Sequence, residues 1–238
     1  MSVGTLYGIG VGPGDPELLT VKGSRIIGEC PNIFVPKARI KSESLARKIA
    51  EQFINGNSRI HELVFPMVTD KTKLKEKWDA SAKTISEVLL NGEDAVFLTL
   101  GDSLLYSTYI YMLRSLKEII PDVKVVTVPG VAAFSAVASL TDFPVGVGKR
   151  KITIVPTSDD MSKVEQAVTD EGTVILMKIG SRLHNILDIL DKYDLLDKSV
   201  FVANAGLETE KISTDLRALR EETGDGAYLA VILVDTGK

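Results

Sequence analysis

Leu6-Tyr7-Gly8-Ile9-Gly10-Val11-Gly12-Pro13-Gly14-Asp15-Pro16 begins as a short apolar run and turns abruptly into glycines and prolines. Residues 6–11 read as a strand that ends in a glycine-rich loop. Asp15 and Pro16 then suit the N-cap and first position of a helix, with Leu18, Leu19, Val21, Ile26 and Ile27 as its buried stripe. Glycines at the carboxyl end of a strand let main chain approach a ligand or another segment without Cβ clashes. In open α/β sheets that edge is where ligands bind. The dinucleotide fingerprint Gly-x-Gly-x-x-Gly fails here in either register, because Pro13 or Asp15 takes the place of the third glycine. A phosphate loop ending in Gly-Lys-Ser/Thr is absent too, and Pro13 and Pro16 remove two amide donors. The loop packs closely against something other than a pyrophosphate.

Outward from this stretch, short apolar runs alternate with helical patterns, as in an α/β protein. Further strands are expected at 33–36, 60–66, 95–100 and 123–128, with helices at 44–53, 70–91 and 106–119. In the long helix Trp78, Ala82, Ile85 and Leu89 recur at helical spacing, and Trp78 reads as helix packing. The second half offers strands at 152–155, 174–177, 200–203 and 228–234 and helices at 162–169 and 182–190. Residues 210–216 fit either a strand or an irregular connection. Two α/β domains follow, the first mainly parallel (1–120) and the second mixed (121–238), with a boundary that could fall as late as 148.

Two more small-residue corners follow strands: Leu100-Gly101-Asp102-Ser103-Leu104-Leu105 and Val128-Pro129-Gly130-Val131-Ala132-Ala133. Asp102 or Ser103 could simply cap the next helix. Three such corners at carboxyl strand ends favour one ligand crevice over three separate turns.

Of the 238 residues 45% are apolar and 25% charged, with net charge −4, so no basic field invites nucleic acid. The longest apolar runs fall far short of the ~20 residues that cross a bilayer, and the first residues lack a signal-peptide pattern. Cys30 is the single cysteine and His61 and His184 the only histidines, so neither a disulfide nor a metal site is expected. A cytoplasmic location is expected.

The opening loop, Gly101-Asp102, Val128-Pro129-Gly130-Val131, a methionine after a later strand (Met177) and Asn204-Ala205-Gly206 together resemble the tetrapyrrole methylases. The motifs stand in that family's order and span nearly the whole chain. Phe34-Val35-Pro36-Lys37, Glu43-Ser44-Leu45-Ala46 and Gly101-Asp102-Ser103-Leu104-Leu105-Tyr106-Ser107-Thr108 resemble its precorrin-2 carbon-20 branch, Ser103 standing where many relatives have proline. The resemblance implies two α/β domains with S-adenosylmethionine folded into the cleft between them. It also implies a homodimer acting on a tetrapyrrole, precorrin-2 or its cobalt-loaded counterpart, cobalt-factor II. Carried over position by position, the donor-contacting set is Pro13, Leu100, Gly101, Asp102, Leu105, Ala132, Ala133, Met177 and Ala205.

Methyl transfer from a sulfonium is an in-line displacement in which charge disappears, so alignment matters more than a new charge partner. If a proton acceptor is used, Asp102 is the candidate. Acceptors of this type carry several carboxylates, which makes Lys37, Arg39, Lys149, Arg150 and Lys151 candidate contacts. Rival classes are an NAD(P)-binding oxidoreductase, with Glu29 as the nearby acid for a ribose, a non-enzymatic binding module, and a methylase of the same family acting at another ring carbon.

Overall fold

The computed structural model describes residues 2–37, 43–65, 70–221 and 227–237. By their internal contacts they form two compact units, Met1–Ala132 and Ala133–Lys238. The division thus falls between the two breaks at Pro121-Asp122 and 144–148.

The first unit is built on five parallel strands, β1 (Leu6–Gly10), β2 (Asn32–Lys37), β3 (Arg59–Val64), β4 (Ala95–Thr99) and β5 (Val125–Val128), in the spatial order β3-β2-β4-β1-β5. Both faces are covered. Every residue of β4 is buried, as expected for a strand inside a parallel sheet. Ile9, Ile33, Val96 and Leu98 face α1 (Val21–Glu29) and α2 (Leu45–Ala50), whose Ile26, Ile27 and Ile49 complete one core. Leu6, Phe34 and Phe97 face α3 (Lys71–Leu90) and α4 (Thr108–Ile119), which contribute Ile85, Leu89, Met112 and Leu116. Trp78 and Tyr111 stack with centroids 4.4 Å apart where these two helices pack. Tyr109, fully buried, lies across β1 so closely that a Cβ on Gly8 would sit 2.1 Å from its ring.

The helix expected from Asp15 onward is interrupted. Asp15 caps a single 3-10 turn, Pro16–Leu18, and Leu19 is extended. Thr20 then starts α1 afresh by accepting a hydrogen bond from Gly23 N at 3.1 Å. Of the expected stripe, Val21 is 87% exposed, while Leu19, Ile26 and Ile27 are buried. The cap at Thr20 resets the helical phase. The helix expected at 106–119 likewise starts at Thr108, capped by Ser107. Pro66, the expected end of the third strand, lies outside the described residues.

The second unit has the mixed sheet β6-β7-β10-β8-β9, formed by β6 (Ile152–Pro156), β7 (Thr173–Met177), β8 (Ser199–Ala203), β9 (Lys211–Ser213) and β10 (Ala230–Asp235). Only the β6–β7 pair is parallel. α5 (Ala133–Leu140) packs on one face through Val137, and α6 (Ser162–Thr169) and α7 (Leu183–Lys192) cover the other. The ambiguous stretch 210–216 contributes only the three-residue strand β9.

A polar network ties the amino ends of the first sheet. Asn32, fully buried, donates from Nδ2 to Glu93 (2.9 Å) and to the Asp94 carbonyl (3.0 Å), while its Oδ1 accepts from Arg59 Nε at 3.1 Å. His61 Nε2 lies 3.1 Å from the same Oδ1, and its ring stacks on Phe34. Burial, and then the Arg59 charge, lower the His61 pKa from 6.5. The fold therefore favours the neutral ring, so this stability is fully present above pH 6.5 and is lost as pH falls below it. Urea-unfolding midpoints should drop between pH 7.5 and pH 5.5, and less steeply in His61→Gln. Equal drops in both proteins would remove His61 from the account.

Candidate functional site

Three strand-to-helix corners meet at the carboxyl ends of β1, β4 and β5. Val11 N donates to Thr99 O at 2.9 Å, continuing the β1–β4 pairing past the strands. Gly12 and Gly101 then exchange hydrogen bonds, N to O at 3.2 Å and 2.8 Å. Both glycines lie in the left-handed region, at φ +81° and +68°, which favours residues without a Cβ. The third corner is pressed onto the other two. A Cβ on Gly130 would stand 2.2 Å from Gly101 O and 2.7 Å from Gly10 C, and one on Gly10 would stand 2.6 Å from Gly130 N. A Cβ on Gly101 would meet nothing within 4 Å, so that face is open.

Side chains brace the same place. Asp102 Oδ2 accepts from Gly130 N at 3.1 Å, and Oδ1 accepts from Leu104 N at 2.9 Å. Ser103, fully buried, donates to Val128 O at 2.9 Å, a bond that proline could not make. Ser107 in turn donates to Ser103 O at 2.7 Å. Between these anchors Leu105 is half-buried, Leu104 is 59% exposed, and Tyr106 is held at φ +51°. Pro13 is buried, and Leu100 packs against the core under β1.

Pro13, Leu100, Gly101, Asp102 and Leu105 thus belong to the first unit, which ends at Ala132. Ala133 starts α5, Met177 ends β7, and Ala205 follows β8, buried at 5% exposure. These three join one apolar cluster with Val137, Ile175, Val202 and Leu233.

The basic candidates are mostly engaged. Lys37 pairs with Glu62 at 2.9 Å, Lys151 with Asp170 at 3.1 Å, and Arg150 with Asp235. Lys149 is exposed and has no ion pair among the described residues, and Arg39 lies outside them. Sequence reading missed the contact between the first and third corners and the hydroxyl bond from Ser103. The serine in place of proline was the available signal. Among the described residues no three His, Cys, Asp or Glu side chains group as a metal site would require, and no helix is long and apolar enough to cross a membrane.

Residues 5–219 match the family model of the Tetrapyrrole (Corrin/Porphyrin) Methylases. The chain belongs to this family. This tetrapyrrole methylase is 27% identical over 232 residues to the cobalt-precorrin-2 C(20)-methyltransferase of Salmonella typhimurium, covering 98% of this chain and 96% of the relative. It is 28% identical over 243 residues to the precorrin-2 C(20)-methyltransferase of a Sinorhizobium species, with the same coverage of 98% and 96%. Among solved structures, a cobalt precorrin-4 methyltransferase superposes with TM-score 0.74 at 18% identity, covering 97% of this chain and 94% of that one. That likeness shows the shared fold of two α/β sheets, one parallel and one mixed.

Gly130→Ala places a methyl against two neighbouring main chains, and the methylase should lose about 1–3 kcal/mol of stability by chemical denaturation. Wild-type stability in this variant would mean that the corners part without strain.

Proposed function

We propose that this methylase transfers a methyl group from S-adenosylmethionine to carbon 20 of precorrin-2 or cobalt-factor II in cobalamin biosynthesis. The observation that carries the reading is similarity along almost the entire chain to two enzymes named for carbon 20, together with the branch-like segments at 34–37 and 101–108. Family resemblance extends the reading to a homodimer, and the sequence composition with its single cysteine to a cytoplasmic location.

The residues present suit the donor. The open face at Gly101 leaves room where a side chain would otherwise stand. Main chain and apolar groups dominate the corners, while Asp102 and the missing amides of Pro13 and Pro16 disfavour a pyrophosphate. Bound S-adenosylmethionine supplies an electrophilic methyl on a sulfonium whose positive charge is lost on transfer. In this reading Pro13, Leu100, Gly101, Asp102, Leu105, Ala132, Ala133, Met177 and Ala205 hold it. Their contribution is placement, which can be worth about 7–11 kcal/mol when reacting atoms are aligned. The corners suit that task because their main chains are already fixed against one another.

Asp102 works here by bracing. Each carboxylate oxygen accepts a main-chain N–H, so the group joins the second corner to the third and holds Leu104 in place. The acceptor carbon of a reduced tetrapyrrole is electron-rich, and transfer to it needs no dedicated base.

Product analysis after incubation with donor and precorrin-2 should find one added methyl, located by NMR at carbon 20. A methyl on another ring carbon would overturn the carbon-20 assignment. In Asp102→Asn, where one main-chain N–H loses its carboxylate partner and the corners loosen, affinity for S-adenosylhomocysteine should fall about tenfold while saturating turnover stays within roughly twofold. Collapsed turnover with intact affinity would instead make Asp102 the base.

A further inference from the structure

The corner that ends β7, Met177-Lys178-Ile179-Gly180-Ser181-Arg182, is forced into an unusual path. Lys178 and Gly180 both lie in the left-handed region, at φ +62° and +52°, and Ile179 between them is 1% exposed. A lysine adopts that conformation only where its surroundings over-determine it. Here they do. Thr157 donates from Oγ1 to Lys178 O at 2.7 Å and from N to Met177 O at 2.8 Å, and Arg182 Nη1 reaches Lys178 O at 3.5 Å.

This path brings the Arg182 guanidinium to the Lys178 main chain, so the corner carries two basic side chains. Lys178 has no ion pair among the described residues. Solvent reaches its side chain, yet enough protein crowds it that desolvation holds its ammonium pKa below the ordinary lysine value. An incoming anion would relieve that deficit. Arg182 directs Nε and Nη2 to a single oxygen of Asp159, at 2.8 Å and 2.7 Å. The Asp159 side chain is 95% exposed, so the fork already holds a carboxylate that faces solvent. A pair so exposed is weak and readily exchanged.

We propose that Lys178 and Arg182 form a carboxylate-binding corner at the carboxyl end of β7 that takes one peripheral carboxylate of the tetrapyrrole acceptor, displacing Asp159. The proposal rests on the function proposed above and adds a specific anchor, one residue beyond Met177. This anchor is a basic contact separate from Lys37, Arg150 and Lys151, none of which belongs to this corner.

Steady-state kinetics with precorrin-2, with S-adenosylhomocysteine affinity measured in parallel, test it. Lys178→Gln and Arg182→Gln should each raise the acceptor KM about tenfold, the effect of one lost charged hydrogen bond. Donor affinity and kcat should stay within about twofold. Lys178→Arg should restore most of the KM, which a purely structural role of the lysine stem would not predict. Lys178→Met keeps the apolar stem and should raise the acceptor KM by about the same tenfold, which keeps the test decisive if the glutamine variant folds poorly. Asp159→Ala should not raise the KM. An unchanged acceptor KM in the Lys178 variants, a loss confined to donor affinity, or a raised KM in Asp159→Ala overturns the proposal. Wild-type protein that fails to methylate precorrin-2 overturns the function itself, and so is told apart from failure of the anchor alone.

Discussion

The first unit depends on main chains that touch where side chains cannot fit. At the carboxyl edge of the parallel sheet, Gly130 lies against both Gly10 and Gly101 O, at separations that exclude a Cβ. Gly12 and Gly101 add a reciprocal hydrogen-bonded bridge. The strands beneath could pair in the same register without these contacts. The corners could not occupy the same positions, and Asp102 and Ser103 would lose their partners on the third corner. The glycines therefore set a distance, and the polar side chains lock it.

The two ends of this sheet are finished differently. At the amino ends, charged and amide groups satisfy one another in a network around the buried Asn32. At the carboxyl ends, hydroxyls and one carboxylate bind main chain, and Leu104 and Tyr106 are left pointing outward on a braced loop. Both edges are thus braced, but only the carboxyl edge presents large apolar side chains to solvent from its loop. Tyr109 links the two faces of this economy: its ring fills the space left by Gly8, and its hydroxyl lies 3.0 Å from Thr127 Oγ1.

Much of this was legible in the sequence, because local patterns carry it. Buried parallel strands read as apolar runs, as at 95–98, and the long amphipathic helix declares itself through Trp78, Ala82, Ile85 and Leu89. The order of the corner motifs carried the family. The interruption between Pro16 and Thr20 was not legible, because Thr20 competes with Asp15 as a cap and periodicity alone does not choose between them. Nor was the fate of the basic residues. Arg150 finds its partner 85 positions away in Asp235, and Lys37 finds Glu62 across neighbouring strands, pairings that exist only once the sheet has formed. Lys178 escaped notice for the same reason: its setting depends on Thr157 and Arg182, which the strand register and the turn bring to it.

The order of strands in space has a kinetic meaning. In the first sheet β1 sits between β4 and β5, and in the second β10 sits between β7 and β8. Elongation from the ribosome therefore delivers the earliest strand of one sheet long before its neighbours, and the central strand of the other after all of its neighbours. β1 must wait about 89 residues for the segment that pairs with it, with loop-closure entropy opposing the match. The second sheet stays split into β6–β7 and β8–β9 ribbons until β10 arrives between them. Nascent chains of this topology expose unpaired strand edges while synthesis is under way, which makes them natural clients for chaperones that shield such edges.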